Sequence, residues 1–156
     1  MIRGRSRIIE KELLKIIYFR LINRFVRNGK KDFVLRFFFD SLILLKRRLK
    51  ISFRSILDRF FYKLRPLLQL KPLFSSGIIY QLPSTLSVSK EYSLSVLWFY
   101  QAISNRTELN LKDRFYNELF EIYCNKGHSL TLKRDYYKQI VQNRIFLYRF
   151  RKRFRI

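Results

Sequence analysis

All three prolines of the chain, Pro66, Pro72 and Pro83, lie in one stretch, and one of only four glycines, Gly77, sits between the last two. Proline removes a backbone donor and pushes the residue before it out of the helical region, so each one stops or bars a helix. A 156-residue chain punctuated this way can be helical before the stretch and helical after it, but not through it.

The apolar spacing fits that division. Leu13, Leu14, Ile17, Leu21, Ile22 and Phe25 recur at helical intervals, and Asn28–Gly29 stops this first helix with Lys30 and Lys31 just past it. Val34, Phe37, Phe38, Leu42 and Leu45 mark a second helix ending in the basic cluster Lys46, Arg47, Arg48 and Lys50. Phe53, Ile56, Leu57, Phe60, Phe61 and Leu64 mark a third, ended by Pro66. Leu68 and Leu70 then alternate with Gln69 and Lys71 as in a strand, Pro72 to Gly77 reads as the turn region, and Ile78, Tyr80 and Leu82 return. Pro83 cannot donate to a ladder and is expected to close the hairpin, which spans 67–82.

Helical spacing resumes with Leu94, Leu97, Trp98 and Ala102. Asn110 and Asp113 resemble a capping box for a fifth helix bearing Leu111, Phe115, Leu119 and Ile122, and Asn125 to Gly127 ends it. A sixth helix starts near Thr131 and carries Tyr136, Ile140, Val141 and Leu147. The expected fold is mainly α: a six-helix bundle with a β-hairpin arm between the third and fourth helices. It forms one domain over 1–156, with a basic segment at 1–9 and a basic tail at 149–156.

Charge sets the class of partner. Lys plus Arg number 34 against 11 Asp plus Glu, a formal net charge of +23. A domain of this size repels itself at that charge, so a polyanion is expected, either nucleic acid or an anionic membrane. A membrane span needs about 20 residues nearly free of charge. The longest uncharged run, 72–89, holds two of the prolines, Gly77 and five serines, and the next, 92–105, is too short. The opening MIRGRSRII, arginine without acid, mildly resembles an organelle-targeting segment. The helical pattern begins almost at once, which leaves little to cleave. Alanine occurs once, at Ala102, against sixteen Phe and ten Tyr, a bias toward AT-rich codons of the kind found in organelle genomes.

Catalytic and metal chemistry find no foothold. The single Cys124 excludes an intrachain disulfide, and with His128 the only histidine no zinc cluster forms. No cofactor motif is present, and His128 has no nucleophile in a readable motif. Glu118 and Glu121 share a helix face, where salt bridging is the plainer reading than acid–base work. Cys124 reads as a small core residue, and Trp98 and the phenylalanine stripes as core.

Particular words then occur in order: LINRFVRNGKK (21–31), LRPLLQLK (64–71), GIIYQLP (77–83), LWFYQA (97–102), NELFEIYCNKG (117–127), KRD (133–135) and NRIFLYR (143–149). This order resembles the small-subunit ribosomal protein S-seven family from about Leu13 to Arg149. The resemblance implies six helices with a hairpin arm between the third and fourth. It implies binding of small-subunit rRNA in the subunit head, neighbouring head proteins as partners, and an arm reaching toward the exit site near mRNA and departing tRNA. In the family two arginines and Gly-Gly occupy the hairpin turn; here Leu73 and Phe74 take the arginine places and Ser76 precedes Gly77. The tip is therefore expected to meet a protein or a base face, with Arg65 and Lys71 on RNA at the root. The drift and the codon bias together point to a mitochondrial form, in the small subunit of the mitochondrial ribosome.

The residues expected on RNA are those in basic clusters or at basic family positions, since phosphates dominate RNA affinity and arginine also stacks on splayed bases. At the N-terminus they are Arg3, Arg5 and Arg7; around the second helix, Lys30, Lys31, Arg47 and Arg48. At the arm root they are Arg65 and Lys71, and in the sixth helix Lys133, Arg134, Arg144 and Arg149. In the arm, Gly77 serves the turn, Gln81 matches the family hairpin, and Tyr80 either stacks on a base or, as is commoner, packs the arm on the body. The alternatives are a basic amphipathic protein of a membrane surface and a non-ribosomal RNA-binding protein. The first predicts one broad basic face without an irregular hairpin.

Overall fold

The computed structural model describes residues 19–154, with side chains described through Leu147. Six helices and one hairpin occur among the described residues: α1 (19–25), α2 (Lys31–Leu49), α3 (Phe53–Leu64), β1 (Leu68–Ser75), β2 (Ile78–Thr85), α4 (Val88–Ser104), α5 (Leu111–Tyr123) and α6 (His128–Phe154). Helix α5 is the hub, packing against α2, α3, α4 and α6, while α6 also runs along β2.

The core is aromatic because the chain has almost no small apolar residues to fill it. Phe25, Phe99 and Phe115 meet from α1, α4 and α5 at ring distances of 4.7 to 6.1 Å. Phe38 of α2 reaches Phe115 at 5.5 Å, and Phe60 of α3 reaches Phe99 at 4.7 Å, both edge-on. Each fully buried ring contributes about 1.5–3 kcal/mol by leaving water, and each edge-on pair roughly another 0.5–1.5. Of the apolar stripes read above, Phe53 of α3 and Val141 and Leu147 of α6 are exposed rather than core.

The hairpin is longer than expected. Its ladder runs from Leu68 opposite Thr85 to Ser75 opposite Ile78, so the arm occupies 68–85 and not 67–82. Pro72 lies within β1 and Pro83 within β2, and neither ends a strand. The reason is parity. A two-residue turn is flanked by a hydrogen-bonded pair, and pairs then alternate between bonded and non-bonded. Counting back from Ser75–Ile78 puts Pro72–Gln81 and Leu70–Pro83 on non-bonded rungs, where an N–H would point away from the partner strand. Leu86 N–H donating to Leu67 O at 3.1 Å fits the same count. Ser76 and Gly77 both have positive φ, +52° and +78°, as a type I′ turn requires. The turn is thus these two residues alone.

Other boundaries have local causes. Ser52 caps α3 by accepting from Ser55 N–H at 3.3 Å. Asn110 does sit at the N-cap of α5, but its side chain accepts no backbone bond; its amide instead donates to Asp113 Oδ2 at 3.2 Å, so there is no capping box. Helix α6 begins at His128, three residues before the expected Thr131. Its first turn is capped from a distance: Ser129 N–H donates to Glu118 Oε1 of α5 at 2.9 Å, and the Ser129 hydroxyl donates to the same oxygen. Gly127 makes room for this, since a Cβ there would lie 2.8 Å from Ile122 Cγ1 and 3.0 Å from that carboxylate. Cys124 is the C-cap of α5 and exposed, not a core residue.

Candidate nucleic-acid interface

The turn between α1 and α2 forms one wall of a basic recess of about 320 Å³. Arg27 and Lys30 come from the turn, Phe33 from α2, Tyr100 from the end of α4, and Arg114 from the first turns of α5. No carboxylate among the described residues lines it. Tyr100 is gripped by cations. A hydrogen bond from Arg27, then one from Ser104, holds its hydroxyl below the ordinary tyrosine pKa. Arg24 lies 5.5 Å from its ring centroid. Cations beside the half-buried Tyr100 and the exposed Phe33 suit a phosphate together with an unpaired base. Lys30 stands at the N-cap of α2 and is exposed, and the Lys31 ammonium lies 5.2 Å from the Phe19 ring.

The other expected residues are more dispersed. Arg47 is exposed at the end of α2, while Arg48 donates to the Tyr116 hydroxyl at 2.9 Å and lies 4.1 Å over Phe120. Arg65 pairs with the nearly buried Glu91 at 3.4 Å. Lys133 is half-buried and donates to the Lys63 carbonyl at 2.6 Å; burial, then the nearby Arg65, lowers its pKa. Arg134 donates to the Asn125 carbonyl at 3.3 Å. Lys71 and Gln81 are exposed on the arm, and Arg144 is exposed on α6. Tyr80 lies edge-on to Phe146 of α6 at 5.3 Å, joining arm to body. Arg3, Arg5, Arg7 and the Arg149 side chain lie outside what the structure describes.

Residue reading alone passed over Arg106, Tyr100 and Arg114. Arg106 clamps three carboxylates. It reaches Glu118 Oε2 at 2.6 Å, Glu121 Oε1 at 2.8 Å and Glu108 Oε1 at 2.9 Å, and its own pKa rises accordingly. Glu118 is completely buried, so the cluster is a strut joining the α4–α5 loop to the start of α6. The one signal for it was four acids, Glu108, Asp113, Glu118 and Glu121, within fourteen residues of a basic chain. Among the described residues no helix is long and apolar enough to cross a membrane.

The family model for ribosomal protein S7p/S5e matches residues 5–144, most of the chain. The chain belongs to the S7p/S5e family of ribosomal proteins. Family members are structural components of the ribosome rather than enzymes. The chain is 28% identical over 127 residues to small ribosomal subunit protein uS7 of Chloroflexus aurantiacus, covering 81% of each. It is also 28% identical over 128 residues to uS7 of Nitratiruptor sp., covering 81% of this chain and 82% of that protein. Against uS7 of Rickettsia canadensis it is 25% identical over 131 residues, covering 84% and 82%. The match takes in the recess, the arm and the Arg106 clamp, and stops before the last twelve residues.

Proposed function

We propose that this protein is a structural component of the small subunit of the mitochondrial ribosome, a single domain that binds and organises rRNA of the subunit head. Family membership over residues 5–144 is the observation that carries the small-subunit part. The +23 charge and the recess of Arg27, Lys30, Tyr100 and Arg114, which no carboxylate among the described residues lines, support rRNA as the partner. The scarcity of alanine beside sixteen phenylalanines, with identities of only 25–28% to bacterial relatives, supports a mitochondrial genome as the source.

Within this reading the arm lies near the exit site for mRNA and tRNA, and its apolar tip meets a neighbouring head protein or a base face. A membrane-surface role is disfavoured by the regular hairpin arm, which a basic amphipathic surface protein does not call for.

Co-sedimentation with small mitochondrial subunits after a high-salt wash tests the assignment; protein left wholly in the supernatant overturns it. The double variant Lys30→Glu, Lys31→Glu tests the turn that walls the recess, Lys30 lining it and Lys31 lying beside Phe19. Recovery of small-subunit rRNA with the tagged protein is expected to fall severalfold at moderate salt. Each lost phosphate contact should also remove about 0.7 to 0.9 from the slope of log affinity against log salt.

A further inference from the structure

Helix α5 spans Leu111–Tyr123, a rise of roughly 18 Å at 1.5 Å per residue. The recess above lies at its N-terminal end. At its C-terminal end lies a second, larger groove of about 650 Å³, walled by the end of α3, the arm root, the α5–α6 turn and the start of α6. Its cations are Lys63, Arg65, Lys133 and Arg134, and its rings are Tyr62 and Tyr137. No carboxylate among the described residues lines it. That volume falls within the range of about 300–1,000 Å³ typical of small-ligand sites.

The lysines have structural work. Lys63 donates to the Ile122 and Tyr123 carbonyls at the end of α5, at 3.1 and 2.6 Å, and Lys133 to the Lys63 carbonyl at the end of α3. An ammonium has three donors. Lys133 therefore keeps two beyond its carbonyl, and Lys63 keeps one. Charge balance decides what they face. Glu91 offsets Arg65, and the two helix C-termini contribute roughly half a negative charge each. Of four cations, about two unit charges remain uncompensated. Burial followed by a neighbouring arginine lowers the pKa of both lysines, Arg59 acting on Lys63 and Arg65 on Lys133. Burial is the larger cause for both, and Cys124 acts the other way on Lys63.

The rings complete the site. Tyr137 is fixed because its hydroxyl accepts from Leu67 N–H at 2.9 Å. Tyr62 is 79% exposed and makes no hydrogen bond or ring contact among the described residues. It needs no such position for folding.

We propose that this groove binds one unpaired ribonucleotide of an RNA chain, its phosphate held by Lys63, Lys133 and Arg134 and its base stacked on Tyr62. The proposal rests on the rRNA-binding reading and adds a second anchoring point at the opposite end of α5. Recognition is of shape and charge, so any base serves.

The test uses the full chain, a fluorescein-labelled octauridylate and a small-subunit head rRNA fragment, with binding read by anisotropy. Tyr62→Ala is expected to weaken octauridylate binding by between about fivefold and a hundredfold, as loss of one stacking partner does. Tyr62→Trp should restore it, and the salt slope should not move. Octauridylate affinity unchanged within twofold in Tyr62→Ala, while the rRNA fragment still binds the unmodified chain, overturns the groove and leaves the ribosomal reading standing. Failure of the unmodified chain to bind the rRNA fragment overturns both. Oligoglutamate of equal charge that binds as tightly and loses as much on Tyr62→Ala overturns the assignment to RNA in favour of an acidic protein.

Discussion

The helical body and the hairpin arm use similar amino acids to opposite ends. In the body, Phe38, Phe99 and Phe115 have no exposed surface and touch rings from other helices. In the arm, Phe74 is 71% exposed and Ile79 63% exposed, although each lies in a regular strand. An apolar residue is core only where a second layer covers it. The body supplies that layer because α5 touches four other helices. The arm has two strands and leans on α6 along one side, so its tip is left uncovered. The body should therefore melt as one unit, and the arm should open separately at little cost.

The strongest way to break the contrast is inside the body. Phe99→Ala removes a buried ring that touches Phe25, Phe60 and Phe115. A loss of about 3–5 kcal/mol is expected. Urea unfolding followed by circular dichroism should show it as a single transition moved to lower denaturant, with the slope unchanged. Phe74→Ala, at the arm tip, should leave that transition in place. If the two substitutions cost the same, the arm is part of the cooperative unit and the comparison fails.

Next in size is the Arg106 clamp. Arg106→Ala leaves the buried Glu118 carboxylate facing only Ser129 and should cost about 3 kcal/mol. The effect carries a pH signature through Glu108. Burial alone would raise that carboxyl, but its own backbone N–H, Asn117 and Arg106 together hold it below its ordinary value of 4.5. A depressed carboxyl adds stability that is fully present above its unfolded pKa and is lost as pH falls through the lower folded value. The unmodified protein should therefore lose stability below about pH 4.5. Arg106→Ala should flatten that limb, whereas Phe99→Ala should shift the whole curve down without changing its shape.

The order of elements was legible because proline, glycine and apolar spacing are local signals, and six helices around one hairpin follow from them. What escaped depended on partners distant in the chain. The start of α6 is fixed by Glu118 from the preceding helix, so a search for a local cap settles on Thr131. Pro83 looks like a strand terminator until the register shows its missing N–H facing outward. The basic clusters were visible as a class, yet Lys133 and Lys63 are partly spent on helix carbonyls, which no linear pattern reveals. Tyr100 and Arg114 join Lys30 in the recess from some seventy residues away or more, and only the packing of α4 and α5 on the α1–α2 turn brings them together.

The smallest expected effect tests the arm at its turn. A type I′ turn needs φ above zero at both central positions, and asparagine followed by glycine suits it best. Here Ser76 holds φ +52° and Gly77 φ +78°. Serine tolerates that region less well than asparagine, whose short side chain can bond locally. Ser76→Asn should therefore stabilise the closed arm by a few tenths of a kcal/mol, well inside the scale of about 1 kcal/mol for such backbone substitutions. Gly77→Ala should destabilise it by about 1 kcal/mol, because a Cβ is strained at that φ even though nothing lies within 4 Å of it. Amide hydrogen exchange reads the difference where melting does not. The N–H groups of Leu73 and Tyr80 sit on a bonded rung near the turn, so their exchange should slow severalfold in Ser76→Asn and quicken in Gly77→Ala. Amides of Leu119 and Ile122 in α5 should not respond. Equal changes in the arm and in α5 would mean that the turn is coupled to the body, which a tip beyond the side where β2 runs along α6 should not be.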